Sequence, residues 1–108
     1  KVASWGMEKR RPTYDLDAIK AALGSVATLA MTSTALRDAL ALGFDRTGVA
    51  ETVRGIDRRM FYKSMTTFAD HRVWQDVYHV PVRDLILYVK FQADVVTEFT
   101  VMSFKEKG

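Results

Sequence analysis

Leu85-Ile86-Leu87-Tyr88-Val89-Lys90-Phe91-Gln92 alternates without a break: Leu85, Leu87, Val89 and Phe91 share one side of an extended chain, and Ile86, Tyr88, Lys90 and Gln92 the other. Side chains of a strand alternate with a period of two, so this stretch reads as a strand with one face on a core and the other partly open. Tyr88 and Lys90 therefore point away from the core. The surrounding sequence has the same character. From Met60 onward β-branched and aromatic residues dominate and no helical stripe persists, which predicts strands near residues 61–68, 72–80, 85–92 and 95–105. The breaks at Ala69-Asp70, Pro81 to Asp84 and Ala93-Asp94 are short enough for hairpins, so an antiparallel meander is expected.

Upstream, the periodicity becomes helical. Pro12 and Asp15 introduce Leu16, Ile19, Ala22 and Leu23, with Asp15 and Asp17 in the first turn, where the helix dipole favours acidic groups, and Gly24 ends the run. Val26 to Met31 reads as a short extended piece. Thr32, Ser33 and Thr34 are N-cap candidates for a second helix that carries Leu36, Ala39 and Leu40 and closes at Gly43. Asp45 caps a third, in which Val49, Val53 and Ile56 recur and Gly55 lies near the end. Short N-terminal helices packed on a C-terminal antiparallel β-sheet make an α+β domain, and its uncovered sheet face is where a ligand would lie.

The 108 residues are 48% hydrophobic and 27% charged, the balance of one compact domain rather than a disordered chain. That domain is expected to span residues 7–108, with residues 1–6 an aperiodic leader ahead of a native start at Met7. The absence of cysteine excludes disulfides, thiolate metal sites and cysteine nucleophiles, which makes the cytoplasm the expected location. No apolar run approaches the roughly 20 residues that span a bilayer, so no membrane role is expected. The net charge of +3 arises in the first 60 residues, since residues 61–108 carry six basic against six acidic side chains. This mild excess permits an anionic partner such as RNA without requiring one.

Several familiar sites are absent: no Walker-type glycine loop, no GxGxxG, no HExxH, no GxSxG elbow. No cofactor and no metal are expected. If 71–79 is one strand, His71 and His79 stand eight steps of roughly 3.3 Å apart, about 26 Å, too far to serve one scissile phosphate as a pair. His71 can still act alone or be an ordinary turn histidine. The β region concentrates Tyr62, Lys63, Gln75, Tyr78, Tyr88, Lys90, Lys105 and Lys107 beside Phe61, Trp74 and Phe91. Cations neutralise phosphates and aromatic faces stack unpaired bases, so this mixture suits single-stranded RNA on an open sheet; it equally suits a core with a solvated rim.

The run Phe61-Tyr62-Lys63-Ser64-Met65-Thr66-Thr67, then Asp70-His71, then Trp74-Gln75-Asp76-Val77-Tyr78, and the ending Ser103-Phe104-Lys105-Glu106-Lys107 resemble the motility quorum-sensing regulator (MqsR) toxins. Met7-Glu8-Lys9-Arg10 is similar to that family's start. The resemblance covers essentially Met7 to Lys107. It implies a RelE-like fold and a bacterial mRNA interferase that cuts mRNA at GC-containing sites without the ribosome. It also implies neutralisation by a cognate antitoxin, MqsA, which binds zinc and carries a helix-turn-helix domain, so that any contact with DNA is indirect. The family's activity-linked residues fall on Tyr62, Lys63, Met65, Gln75, Tyr88 and Lys105. The chain departs from the family at His79-Val80-Pro81, which stands in place of Arg-Pro, and at Pro81-Val82-Arg83-Asp84, which lacks a hairpin glycine. The last hairpin is about two residues longer and lacks a histidine of the family's turn.

Metal-independent cleavage by the 2′-hydroxyl needs a proton removed, a phosphorane stabilised and the 5′-oxygen protonated. Lys63 and Lys105 are then phosphate clamps, Tyr88 a general acid or a group orienting the 2′-hydroxyl, and Gln75 a neutral hydrogen-bonding group; these four are the catalytic candidates. Tyr62, Met65, His71 and Lys90 are substrate-binding or supporting candidates. In a straight strand Tyr62 and Lys63 face opposite sides, and Lys105 shares parity with the core candidates Phe99 and Val101, so a bulge or a frayed end has to re-aim at least one of them. The alternative function is a non-catalytic module of the same fold that binds an antitoxin or nucleic acid. A DNA-binding regulator is disfavoured, because no helix joins basic residues to a helix-turn-helix pattern.

Overall fold

A computed structural model describes residues 6–108, so residues 1–5 of the expected leader lie outside the described residues. The chain runs β1 (Glu8–Lys9), α1 (Leu16–Leu23), α2 (Ser33–Ala41), α3 (Arg46–Arg54), a 3₁₀ turn (Arg58–Met60), β2 (Phe61–Thr66), β3 (Trp74–Val82), β4 (Leu85–Asp94) and β5 (Glu98–Glu106). The strands form one sheet in the order β1-β2-β3-β4-β5, antiparallel throughout. This is the expected α+β arrangement. Two-residue β1 carries no readable alternation and escapes sequence reasoning.

The helix termini follow their capping chemistry. The Thr32 hydroxyl accepts the Ala35 N–H at 3.0 Å, and the Asp45 carboxylate accepts the Gly48 N–H at 2.8 Å. Beyond α2, Gly43 takes φ 88°, a left-handed conformation that most side chains resist. Of the segment 26–31, expected to be extended, residues 26–28 instead form a turn closed by the Thr28 N–H on the Ser25 carbonyl, and only Met31 pairs in extended form, through a parallel bridge to Val101.

The helices cover one face of the sheet. Ile19, Leu23, Ala35, Ala39, Val49, Val53 and Ile56 pack on Tyr78, Leu87, Val89, Phe91, Val101 and Phe104, all essentially inaccessible to water. Each large side chain buried in this way contributes about 2 kcal/mol of hydrophobic stabilisation. An edge-to-face contact between Phe44 and Phe104, at 5.2 Å, ties the helical layer to the sheet, and one between Phe61 and Tyr78, at 5.5 Å, ties β2 to β3 within it.

Two hairpins are tighter than the break residues suggest. Pro81 lies inside β3, opposite Ile86, although proline was expected to end the strand. β2 reaches only as far as the pair Phe61 with Tyr78, so Pro81 has no neighbour on that side for an N–H to serve. Arg83 occupies the missing-glycine position of the next turn with φ 58°, its guanidinium 4.4 Å above the Phe44 ring. Ala93 and Asp94 likewise belong to β4, and the Asp94 carboxylate closes the following turn by accepting the N–H groups of Val96 and Thr97. No helix among the described residues is long and apolar enough to cross a membrane.

Candidate active site

The sheet face opposite the helices is organised by register. Lys63 lies beside Val77, Val77 beside Lys90, and Lys90 beside Ser103, forming one row across four strands. The next row runs His79, Tyr88, Lys105. On the other side Glu8, Met65, Gln75, Gln92 and Thr100 form a third. Alternate residues of a strand are about 6.6 Å apart and adjacent strands about 5 Å, so the three lysines occupy one patch. Val77, on this face, is wholly buried beneath the stems of its neighbours Lys63 and Lys90.

Both parity conflicts are resolved by bulges. The pairing of β2 with β3 shifts between Phe61 and Lys63, leaving Tyr62 as the extra residue, so Tyr62 and Lys63 come to the same side. The Lys63 ammonium is 5.4 Å from the Tyr62 ring centroid, and the Tyr62 ring stacks on His79 at 4.2 Å. The pairing of β4 with β5 shifts between Lys90 and Phe91, leaving Met102 unmatched. Val101 therefore stays in the core while Ser103 and Lys105 turn outward, and the Lys105 ammonium lies 5.4 Å from the Tyr88 ring.

Tyr62, His79, Tyr88, Lys105, Glu106, Lys107 and Gly108 line an open cleft of about 490 Å³, large enough for a nucleotide unit. A second hollow, lined by Phe44, Gly48, Glu51, Val80 and Arg83 among others, contains none of the candidates. The Lys63 ammonium is held by Glu8 at 2.6 Å, and its side chain is only 18% exposed while that of Glu8 is 54% exposed. An ion pair with so accessible a carboxylate is worth about 0–1 kcal/mol, so an incoming phosphate can replace it. Gln75 is buried and donates to the Gln92 Oε1 at 2.8 Å, which fixes the direction of its amide. Burial raises the pKa of the Tyr88 phenol, an effect that Lys63 opposes and Tyr62 and Glu8 reinforce; the phenol keeps its proton at neutral pH.

Seven of the eight candidates, Tyr62, Lys63, Met65, Gln75, Tyr88, Lys90 and Lys105, thus share this face. His71 does not join their register rows: it is exposed in the loop between β2 and β3 and makes no hydrogen bond among the described residues. His79, set aside in the sequence because it cannot pair with His71, lies in the middle of the cleft. Its parity with Gln75 was the available signal. Among the described residues no group of three or more His, Cys, Asp or Glu gathers that could hold a metal ion.

Lys90 sits between the other two lysines. Burial lowers its pKa most, and the neighbouring charges of Lys105 and Lys63 lower it further. An ammonium that is desolvated and repelled in this way destabilises the empty protein and favours a bound anion. Because its folded pKa is below the unfolded value, the unfolded chain holds more protons between the two, and stability rises with pH through that window, toward about 10.4. Lys90→Met should remove this rise, increase the melting temperature at neutral pH and reduce the salt slope of RNA binding by about 0.7. Thermal melts against pH and a salt titration of binding check this; a lower melting temperature with unchanged binding contradicts it.

A family model described as motility quorum-sensing regulator, toxin of MqsA, matches residues 11–106. The chain is also 39% identical over 101 residues to the mRNA interferase toxin MqsR of Escherichia coli (strain K12), a match that covers 94% of this chain and 100% of that protein.

Proposed function

The chain belongs to the family of motility quorum-sensing regulators, toxins of MqsA, and from that membership we propose that it is a bacterial mRNA interferase whose open sheet face cuts RNA without a metal. The observation that carries this reading is the convergence of Lys63, Lys90 and Lys105 with Tyr62, Tyr88 and Gln75 on one face, two of them re-aimed there by bulges. A folded chain has no packing reason to gather three ammonium groups around a half-buried tyrosine. A phosphodiester supplies one.

In the proposed reaction the 2′-hydroxyl attacks the adjacent phosphorus and the 5′-oxygen departs. Lys63 and Lys105 hold the non-bridging oxygens and bind more strongly as the phosphorane becomes more negative. Lys90 adds charge from beneath. Tyr88 retains its proton and can give it to the leaving oxygen, while Gln75, oriented by Gln92, hydrogen-bonds to phosphate or a base edge. Tyr62 and Met65 support the site. The expected targets are GC-containing sites in mRNA, the expected location is the cytoplasm, and an antitoxin of the MqsA kind neutralises the activity. The domain active in this role is residues 7–108.

Purified protein should cut a labelled GC-containing RNA equally well with and without EDTA, and mapped 5′ ends should fall at GC-containing positions. RNA that is bound but left intact overturns the reading in favour of a non-catalytic binding module. Cleavage lost in EDTA and restored by a divalent ion overturns the metal-independent mechanism.

A further inference from the structure

We propose that His79 is a catalytic residue of this site, the general base that takes the proton of the attacking 2′-hydroxyl. The role rests on reading the open face as the RNA-cleaving site. The geometry supports it in three ways. The imidazole lies in the cleft between Tyr62, stacked on it at 4.2 Å, and Tyr88, tilted from it with centroids 6.1 Å apart. His79 and Tyr88 are register partners on β3 and β4 and both line the cleft, so a nucleotide seated there meets the imidazole and the phenol together. The ring nitrogens of His79 have no hydrogen-bond partner among the described residues, and the side chain is part-exposed, so an edge of the ring is free for substrate. The stack on Tyr62 fixes the ring plane without using either nitrogen.

The surroundings of the ring, burial first, favour its neutral, proton-accepting form. Tyr62 and Lys63 face it from β2, with Arg10 and Glu8 behind them on the N-terminal segment. Tyr88 and Lys90 face it from β4, and Lys105, Glu106 and Lys107 from β5 and the tail. Burial lowers the His79 pKa first, and the charge of Lys107 adds to it. In the step itself the neutral imidazole accepts the 2′-hydroxyl proton as the O2′–P bond forms. The P–O5′ bond breaks with its electron pair on the 5′-oxygen, which takes the Tyr88 phenolic proton. The products are a 2′,3′-cyclic phosphate and a 5′-hydroxyl, and solvent returns imidazolium and phenolate to their starting states.

Three measurements on the full chain test this. The wild-type single-turnover rate should fall on the acid side as the imidazole becomes protonated, with its midpoint below the ordinary histidine value of about 6.5. His79→Gln should lose about 100-fold in kcat, leave KM nearly unchanged and no longer show that acid limb. His79→Phe keeps an aromatic ring to stack on Tyr62 but has no proton acceptor, and should be as slow as His79→Gln. A wild-type profile without an acid limb overturns the assignment even if neither variant folds. Recovery of activity in His79→Phe also overturns it, by reducing His79 to a stacking group. Lys63→Ala, run alongside, separates the two levels: if it is inactive while His79→Gln cuts like wild type, only the role of His79 fails. If Lys63→Ala cuts normally, the reading of the face fails, and the role of His79 with it.

Discussion

Lys63→Ala is expected to slow RNA cleavage by about 10²- to 10³-fold while the protein stays folded. Its ammonium stands in the central row of the open face, on a stem that covers Val77, with its head on Glu8 at 2.6 Å. Truncation acts twice in the same direction. It removes a cation from the place where the phosphorane gains charge, and it leaves the Glu8 carboxylate unpaired on a surface that must accept a phosphate. Glu8→Gln separates the two effects. Alone it frees the ammonium and should tighten RNA binding; combined with Lys63→Ala it should recover only the part of the loss caused by the bare carboxylate. The ion pair contributes about 0–1 kcal/mol to folding and the lost stem about 1–2 kcal/mol more, so the melting temperature should fall by only about 5–10 °C and the loss of turnover, read well below it, can be assigned to the reaction. Single-turnover cleavage and circular-dichroism melts check this. Wild-type turnover by a folded Lys63→Ala protein would remove Lys63 from the mechanism and overturn the reading of this face as the cleaving site.

The features legible in the sequence were those with a period. Alternation in Leu85–Gln92 correctly placed Tyr88 and Lys90 on the open face, and Thr32 and Asp45 marked the starts of α2 and α3. The conflicts of parity at Tyr62-Lys63 and at Lys105 were legible as well, because a side chain that alternation sends into the core and chemistry requires outside implies a bulge. Where each bulge falls was not legible, since an extra residue such as Met102 has no composition that distinguishes it from its neighbours. The place of His79 was missed for a different reason. It was judged as half of a pair with His71, whereas the sheet brings it to residues distant in sequence: Tyr62 through β2 and Lys105 through β4 and β5. Pairing across strands is a tertiary property, and a single strand's pattern does not contain it.

The same limit applies to Asp76, which sits beside Gln75 and had no role assigned. Asp76→Ala should destabilise the fold by about 3 kcal/mol, a melting-temperature drop of about 15 °C for a domain of this size. The carboxylate is fully buried on the helix side of the sheet and has no cationic partner among the described residues. Its oxygens instead accept the Thr13 N–H at 3.0 and 3.1 Å and the Tyr14 N–H at 2.9 Å. Flanking bonds from the Tyr14 hydroxyl to the Trp74 carbonyl, 2.6 Å, and between the Thr13 and Ser64 hydroxyls, 2.7 Å, make this the point where the segment ahead of α1 is fastened to the sheet. Truncation leaves two backbone donors without an acceptor, and hydrogen bonds to a charged group are worth about 1.5–3 kcal/mol each. Relief of the carboxylate's own desolvation offsets part of that loss. Asp76→Asn keeps the volume and one acceptor oxygen, so it should lose roughly half as much. Because Asp76 points away from the lysine face, the folded fraction of either variant should still cut RNA at low temperature. An Asp76→Ala protein that melts like wild type yet cuts nothing would move this carboxylate from the fold into the chemistry.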